Sequence, residues 1–441
     1  MLKLHVVLLI TAFGTLTIFL SGEFISDYLS LMMYREINGS DIWIRSAERQ
    51  NNICARFQRL SNAIIEIDVK GHSIQLIQNK QNAPKHLNVF VVLHSHVDPG
   101  WLYTFEEYYS TSDHPVRKIL NNIVNSLRKY PKLRFIWSEM SFLERWWSEA
   151  NTTYRNYFKR SVDPFGHGLM MPYLMKLAGI NQMVIGRINS NIKSILKQHH
   201  QLHFRWAQNW DSQLHWAPLV NVLPNAYYTV TSACGTDEMI CCQFDVSKTS
   251  RSSCMERAKV DNVQKIALYG ERMANQYRSL QTFYNSEAVL VAAGDDFLYS
   301  DSDDLKIVHR VYSALFKYIN RNYDRFNMRV QFGTVADYFK SLKGNAKRRA
   351  SILSGDFFPY MDNAFSNAPF WTGFYNHRAY FKCFERIIQR ELRLVDLLSV
   401  AIGIYLNSDV EIARRNLALS IHHDAITGTS KRHVMDDYML R

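Results

Sequence analysis

Residues 86–101 read HLNVFVVLHSHVDPGW. After Asn88 the run to Leu93 is wholly apolar, the pattern of a strand covered on both faces. It ends in His94, His96 and Asp98, spaced by single residues, and Pro99-Gly100-Trp101 then breaks it. Alternate side chains of an extended chain share a face, so one strand tip delivers three residues of metal-ligand type together. In α/β sheets the carboxyl ends of strands are where ligands meet.

The same texture continues downstream. HPVRKILNNIVNSLRKYP places Val116, Ile119, Leu120, Ile123 and Leu127 at helical spacing. LRFIWSEM, NQMVIGRI, EAVLVAAGDD, MRVQFGT and SILSGDFF read as short apolar strands, with helical stretches between several of them. Such alternation predicts an α/β fold built on a mainly parallel sheet or barrel. After residue 378 the pattern changes to YFKCFERIIQRELRLVDLLSVAIGIYL, one long amphipathic helix. A second helix is expected from a capping box at Ser408-Asp-Val-Glu411, running through His422 and His423 to Gly428. These two helices read as the start of a helical bundle. The expected boundaries are 1–23 for a signal peptide or signal-anchor, 24–85 for a stem, 86–378 for the α/β domain and 379–441 for the bundle.

Bulk properties narrow the function classes. The 441 residues are 47% hydrophobic and 21% charged, enough for two or three domains with a full core. Net charge is +12, but the Lys and Arg residues are dispersed along helical stretches and form no block, which argues for a solvated basic surface and against nucleic acid. Val6 to Leu20 is an uncharged, mostly apolar run behind Lys3, with Glu23 and Asp27 after it. Cleaved signal and short membrane anchor both fit, and both lead into the secretory pathway with the amino terminus inside. Asn38-Gly-Ser and Asn151-Thr-Thr are sequons that agree with this route. Cys234, Cys241, Cys242 and Cys254 crowd together, while Cys54 and Cys383 stand apart. In an oxidising lumen the cluster reads as two local disulfides, 234–241 and 242–254, because adjacent cysteines rarely pair; a zinc ribbon is the alternative, though it lacks a C-x2-C pair.

Chemistry-bearing residues recur at strand ends. Asp98 lies just past one, and Asp295 and Asp296 close another in LVAAGDDF. Asp163 sits in the Pro-Gly turn of SVDPFGHG. Singly, each is short enough to be a turn opener or a surface pair.

In order, HSHVDPGW, TFEEYY, FIWSEMSF, DPFGHG, CCQFD, GDDF, LSGDFF, WTGFY and HHDAITGT resemble the Golgi α-mannosidase II group of glycoside hydrolase family 38, across residues 86–441. The resemblance implies Zn²⁺ held by His96, Asp98, Asp163 and His423, with His94 as a neighbour. It implies retention of anomeric configuration, with Asp163 as nucleophile and Asp296 as acid/base. An ionised Asp295 would help keep the proton on Asp296. Trp101, Phe165, Arg187, Tyr228, Asp295, Trp371 and Asp424 match substrate-binding positions. The implied substrate is an N-glycan oligosaccharide on glycoproteins, trimmed at α-1,3- and α-1,6-linked mannose in the Golgi by a membrane-tethered luminal domain.

The chain also departs from the family pattern. Val97 stands where Asn is usual, Leu298 where Arg follows GDDF, and YYTVTSACG where the family tends to YDIPHTCG. Asp163 follows Asp98 by 65 residues, several tens fewer than in the family, and the family's β-rich carboxyl-terminal half is absent. A fragment, a mis-assembled gene model or a divergent relative would each read this way. A mannose-binding protein without turnover, or a truncated product, are the alternative functions.

Overall fold

The apolar run becomes strand β1 (Leu87–His96), buried along almost its whole length. The computed structural model describes residues 86–149, 163–208, 210, 217–225, 227–284, 286–342, 350–363, 369–403 and 408–441, plus the backbone of four short strands before them. The strands and longer helices that follow in the α/β region are α1 (Val116–Lys129), β2 (Phe135–Trp137), α2 (Met140–Glu149), α3 (Met170–Leu177) and β3 (Gln182–Ile185). Then follow α4 (Ser190–Gln198), β4 (His203–Ala207), β5 (Leu219–Val222), α5 (Val263–Gln281) and β6 (Ala288–Asp296). The series ends with α6 (Asp304–Arg321), β7 (Met328–Phe332), α7 (Val335–Ser341) and β8 (Ser351–Ser354).

β1 is the hub of an all-parallel sheet. β6 runs along one edge in continuous register, from Ala288 opposite Asn88 to Asp296 opposite His96. β7 pairs with Leu87 to Val91, and β2 takes over from Leu93 to Ser95. Such strands are covered on both faces, which is why they read as unbroken apolar runs. Gly294 faces His94 across the β6–β1 ladder, where a Cβ would collide with the His94 carbonyl oxygen, so only glycine keeps the two tips in register.

The second sheet departs from expectation. From the strand His72–Ile77 its order runs through β8, β4, β5 and β3. β8 with β4 and β3 with β5 are parallel, but β4 with β5 is antiparallel, as is His72–Ile77 with β8. The fold is α/β with mainly parallel strands, mixed in this one sheet.

Helix α1 buries Val116, Ile119, Leu120 and Ile123, the i, i+3, i+4, i+7 stripe. Each contributes roughly 1.5–3 kcal/mol on burial. Its first turn is opened by Pro115 in extended geometry, and Arg128 and Lys129 complement its carboxyl end.

Beyond Gly373 come α8 (Ala379–Ile402), α9 (Ser408–Ser420) and α10 (Arg432–Leu440). The second bundle helix therefore stops at Ser420, and His422 and His423 lie in the turns after it, not on the helix. Asp424 provides the reason. Its carboxylate accepts from Thr429 Oγ1 and its carbonyl from the Ser430 amide and hydroxyl, so local side-chain and turn bonds replace the helical ladder. Helix α10 then returns to the strand tip, where Tyr438 Oη donates to the Pro99 carbonyl at 2.7 Å.

The chain divides into two compact units, Met1–Ile64 with Asn209–His215, and Ile65–Gln208 with Trp216–Arg441. In the first, Val7–Ile10 pairs antiparallel with Leu16–Phe19, within the segment expected to be a signal or anchor. Among the described residues no helix is long and apolar enough to cross a membrane. Asn38, Asn151 and Cys54 lie outside the described residues.

The cysteine pairing is as expected: Cys234–Cys241 and Cys242–Cys254 are disulfides, and Cys383 is a free, exposed thiol. Each bridge closes a short loop, so removing one (Cys242→Ser with Cys254→Ser) should cost roughly 2–3 kcal/mol in urea unfolding. An unchanged midpoint would show that the loop is already ordered without the bridge.

Candidate active site and metal centre

Four side chains converge at the tip of β1. His96 Nε2 lies 2.9 Å from Asp98 Oδ1, and His423 Nε2 lies 2.8 Å from the same oxygen. Asp163 Oδ2 is 3.4 Å from His423 Nε2. One ligand atom from each of His96, Asp98, Asp163 and His423 falls within 4.8 Å of all the others. The strand supplies the first two and the turn before α3 the third. The turn after α9 supplies the fourth.

The fit to a metal is testable on the donors themselves. The group offers two imidazoles and two carboxylates, a set that suits Zn²⁺. His423 Nε2 is buried and within ion-pair distance of three carboxylates, those of Asp98, Asp163 and Asp424, yet makes no hydrogen bond. His96 Nδ1 donates to Glu139 Oε1 at 2.6 Å, which fixes its ring and directs Nε2 toward the other ligand types. These residues fit a bound divalent ion. Burial works against charge on His96, but Asp98 and Glu139 outweigh it and raise its pKa well above the usual value. Burial likewise opposes charge on His423, and Asp98 and Asp163 push it up to about 10. Burial disfavours charge on Asp98 too, but His96 and His423 hold it well below the carboxylate range. A metal must displace the imidazole protons, so its binding weakens as pH falls.

Glu139 was not among the residues singled out from sequence, although FIWSEMSF contains it. The available signal was its place just past the tip of β2, the strand that pairs with β1 at Ser95 opposite Trp137. Glu139→Gln should weaken divalent-metal binding about 10–100-fold, by analogy with other carboxylate–histidine–metal arrangements. Competition with a chromophoric chelator reads this directly, and wild-type affinity would remove Glu139 from the site.

Asp163 faces two ways. Arg187 holds Oδ1 through Nε at 2.6 Å and Nη2 at 2.5 Å, leaving Oδ2 toward His423. Burial would raise its pKa, but His423 and Arg187 prevail and lower it, so it is ionised. The guanidinium lies 4.9 Å over the Trp371 ring and 5.4 Å over Phe165, whose own ring centroid is 5.2 Å from that of Trp371. Phe165, Arg187 and Trp371 thus form one aromatic wall beside Asp163.

Asp296 ends β6, across the ladder from His96. Tyr228 Oη contacts its Oδ1 at 2.6 Å and Tyr227 Oη its Oδ2 at 2.8 Å. Its pKa is raised, by burial first and then by the charge of Asp98, against the opposing pull of His96 and Tyr228. Asp295 differs from expectation. Burial first, then Asp296, raise it to about 7, and its Oδ1 accepts the Asp296 amide at 2.8 Å. At mildly acidic pH it is largely neutral, and the buried setting of Asp296 is what favours its proton.

His94 Nε2 donates to the Tyr228 carbonyl at 3.0 Å, so it steadies the tyrosine. Asp424 is buried, with Oδ2 3.5 Å from His422 Nε2 and 3.7 Å from His423 Nε2. Trp101 is half-buried, and its carbonyl accepts the Lys431 amide at 2.9 Å. Every expected site residue lies on these strand tips or the loops beside them.

Two family matches cover nearly the whole region. Residues 86–163 and 155–363 match the glycosyl hydrolases family 38 N-terminal domain, and 369–441 match the alpha mannosidase middle domain. The chain belongs to glycosyl hydrolase family 38. Among its relatives, alpha-mannosidase 2 of Drosophila melanogaster is 31% identical over 434 positions, covering 84% of this chain and 38% of that protein. Alpha-mannosidase 2 of Arabidopsis thaliana is 32% identical, with 80% and 37% covered. Alpha-mannosidase 2x of Mus musculus is 33% identical at the same coverages. The crystal structure of an alpha-mannosidase from Enterococcus faecalis superposes with a TM-score of 0.55 at 15% identity, covering 80% of this chain and 40% of that one, which shows a shared fold.

The family 38 chain thus spans less than two fifths of the length of these curated relatives. Its N-terminal-domain match falls in two pieces that meet at residues 155–163. The Drosophila alignment uses 84% of 441 residues, about 370, across its 434 positions, so the relative carries tens of positions that this chain lacks. A shortened stretch before Asp163 is in keeping with both findings.

Proposed function

We propose that this glycoside hydrolase is a zinc-dependent, retaining α-mannosidase that trims mannose from N-glycan intermediates in the secretory pathway. The observation that carries the reading is the convergence of His96, Asp98, Asp163 and His423 beside a separately held, half-buried Asp296. His96, Asp98, Asp163 and His423 would hold Zn²⁺. When bound, the ion would supply Lewis acidity toward sugar hydroxyls.

The remaining chemistry belongs to the chain. Asp163, kept ionised by Arg187, attacks the anomeric carbon to form a glycosyl-enzyme. Asp296, whose proton burial favours, gives it to the departing oxygen and then takes one from water. Phe165 and Trp371 offer aromatic faces to the apolar side of the pyranose. Trp101, Tyr228, Asp295 and Asp424 complete the substrate contacts. The two disulfides are in keeping with an oxidising lumen, as expected of a Golgi membrane protein whose residues 1–23 serve as signal or anchor and 24–85 as a stem. Residues 86–378 form the catalytic domain and 379–441 deliver His423.

A second reading, mannoside binding without turnover, draws support from the shortened stretch before Asp163. Incubation with 4-nitrophenyl α-mannoside and zinc separates the two. Zinc-stimulated release of nitrophenol supports hydrolysis. Saturable binding of the mannoside without release supports the second reading and overturns the first.

A further inference from the structure

We infer that Tyr227 is a positioning residue for Asp296, closing a three-membered ring of hydrogen-bonded groups that holds the acid's proton ready for the leaving oxygen. The inference rests on the proposed α-mannoside hydrolysis and adds a residue to it.

The ring is defined by three oxygen–oxygen contacts. Tyr228 Oη to Asp296 Oδ1 is 2.6 Å, Tyr227 Oη to Asp296 Oδ2 is 2.8 Å, and the two phenol oxygens are 2.9 Å apart. Each phenol brings one proton. With an ionised Asp296 there are two protons for three contacts, and one pair of oxygens meets lone pair to lone pair. One proton on Asp296 makes three, and the contacts close head to tail. Oδ2 then donates to Tyr227, Tyr227 to Tyr228, and Tyr228 to Oδ1, or all three reverse together. This is the hydrogen-bond pattern of a carboxylic acid, the form a general acid needs before the bond breaks.

Tyr227 is the member that makes the ring. Tyr228 is anchored independently, by His94 at its carbonyl and by edge contacts of its ring with His94 and His96 at 5.7 and 5.5 Å. Tyr227 stacks on Tyr228 with centroids 4.1 Å apart, and the Arg187 guanidinium lies 5.6 Å from the centroid of the Tyr227 ring. It therefore spans the gap between the cation that holds Asp163 and the carboxyl of Asp296. In the first step the glycosidic C–O electron pair goes to the leaving oxygen as that oxygen takes the Asp296 proton. Both phenols then donate to the new carboxylate, and the contact between them opens. In the second step Asp296 regains a proton from the attacking water, and the ring closes again.

The test is Tyr227→Phe in the full, zinc-supplemented chain, which removes one oxygen and keeps the stacked ring. It is compared with Asp296→Ala and the double variant on 4-methoxyphenyl, 4-nitrophenyl and 2,4-dinitrophenyl α-mannosides. Tyr227→Phe should lower kcat about 10–100-fold on the methoxyphenyl substrate, a part of the roughly 10²–10⁴-fold that a general acid supplies, and less than about 2-fold on the dinitrophenyl one. In the Asp296→Ala background it should cost nothing further, because its effect passes through that carboxyl. A loss equal across the series, an additive loss in the double variant, or no loss at all would overturn the inference. If wild type turns over and Asp296→Ala shows the leaving-group dependence, such a result leaves the proposed function standing. If wild type hydrolyses none of the three, the function itself falls, and the inference with it.

Discussion

Asp163→Asn is expected to abolish hydrolysis of every α-mannoside, by at least about 10⁴-fold or roughly 5 kcal/mol of barrier, whatever the leaving group. The amide keeps the shape of the side chain but cannot form the glycosyl-enzyme, and it gives up its charge toward Arg187 and His423. Asp163→Ala should be as inactive and less stable, because it leaves the half-buried Arg187 guanidinium without its carboxylate. Asp296→Ala should fail differently. Glycans with poor leaving groups should slow by about 10²–10⁴-fold, while an activated dinitrophenyl mannoside needs little protonation to leave. Azide should then rescue the second step by attacking the glycosyl-enzyme without a general base. Equal loss on both substrates, with no response to azide, would contradict the assignment of Asp296 as acid/base.

The second large effect concerns the metal. His96→Ala, Asp98→Ala and His423→Ala should each lose zinc on dialysis, with affinity falling more than the roughly 100-fold that outer partners alone can cost. Asp98 is the sharpest case, because both imidazoles lie within 3 Å of its Oδ1 and its loss leaves them facing each other. Metal content measured after dialysis decides it. Undiminished zinc in two or more of these variants would assign the cluster to an ion-pair network in place of a metal centre.

Much of this was legible in the residues because the chemistry and the fold share one constraint. β1 and β6 are buried on both faces, so their apolar runs stop at the sheet edge, and the polar residues that follow mark the site. The stripe of α1 and the cysteine cluster are as direct, since periodicity and proximity determine them. β4 and β5 were not legible. HFRWA interrupts its apolar residues with His203 and Arg205, and LVNV spans four residues with a buried Asn221. Asn221 is tolerated there because its Oδ1 accepts from Tyr338 Oη at 2.8 Å, a partner more than a hundred residues away that no local pattern reveals. The antiparallel β4–β5 pairing was hidden with them. In the sequence the helix that opens at the Ser408–Glu411 capping box reads on through His422 and His423. The bonds that Asp424 makes to Thr429 and Ser430 overrode it. Glu139 and Tyr227 were missed for a shared reason. Each acts on a residue distant in sequence, His96 and Asp296, so its role exists only once the strand tips are side by side.

The most direct test is proton NMR of the first sugar released from an aryl α-mannoside by the zinc-loaded chain. Asp163 as nucleophile and Asp296 as acid/base predict α-mannose first, with the β-anomer growing in only by mutarotation. β-Mannose as the initial product, or no zinc-dependent release at all, would contradict the mechanism.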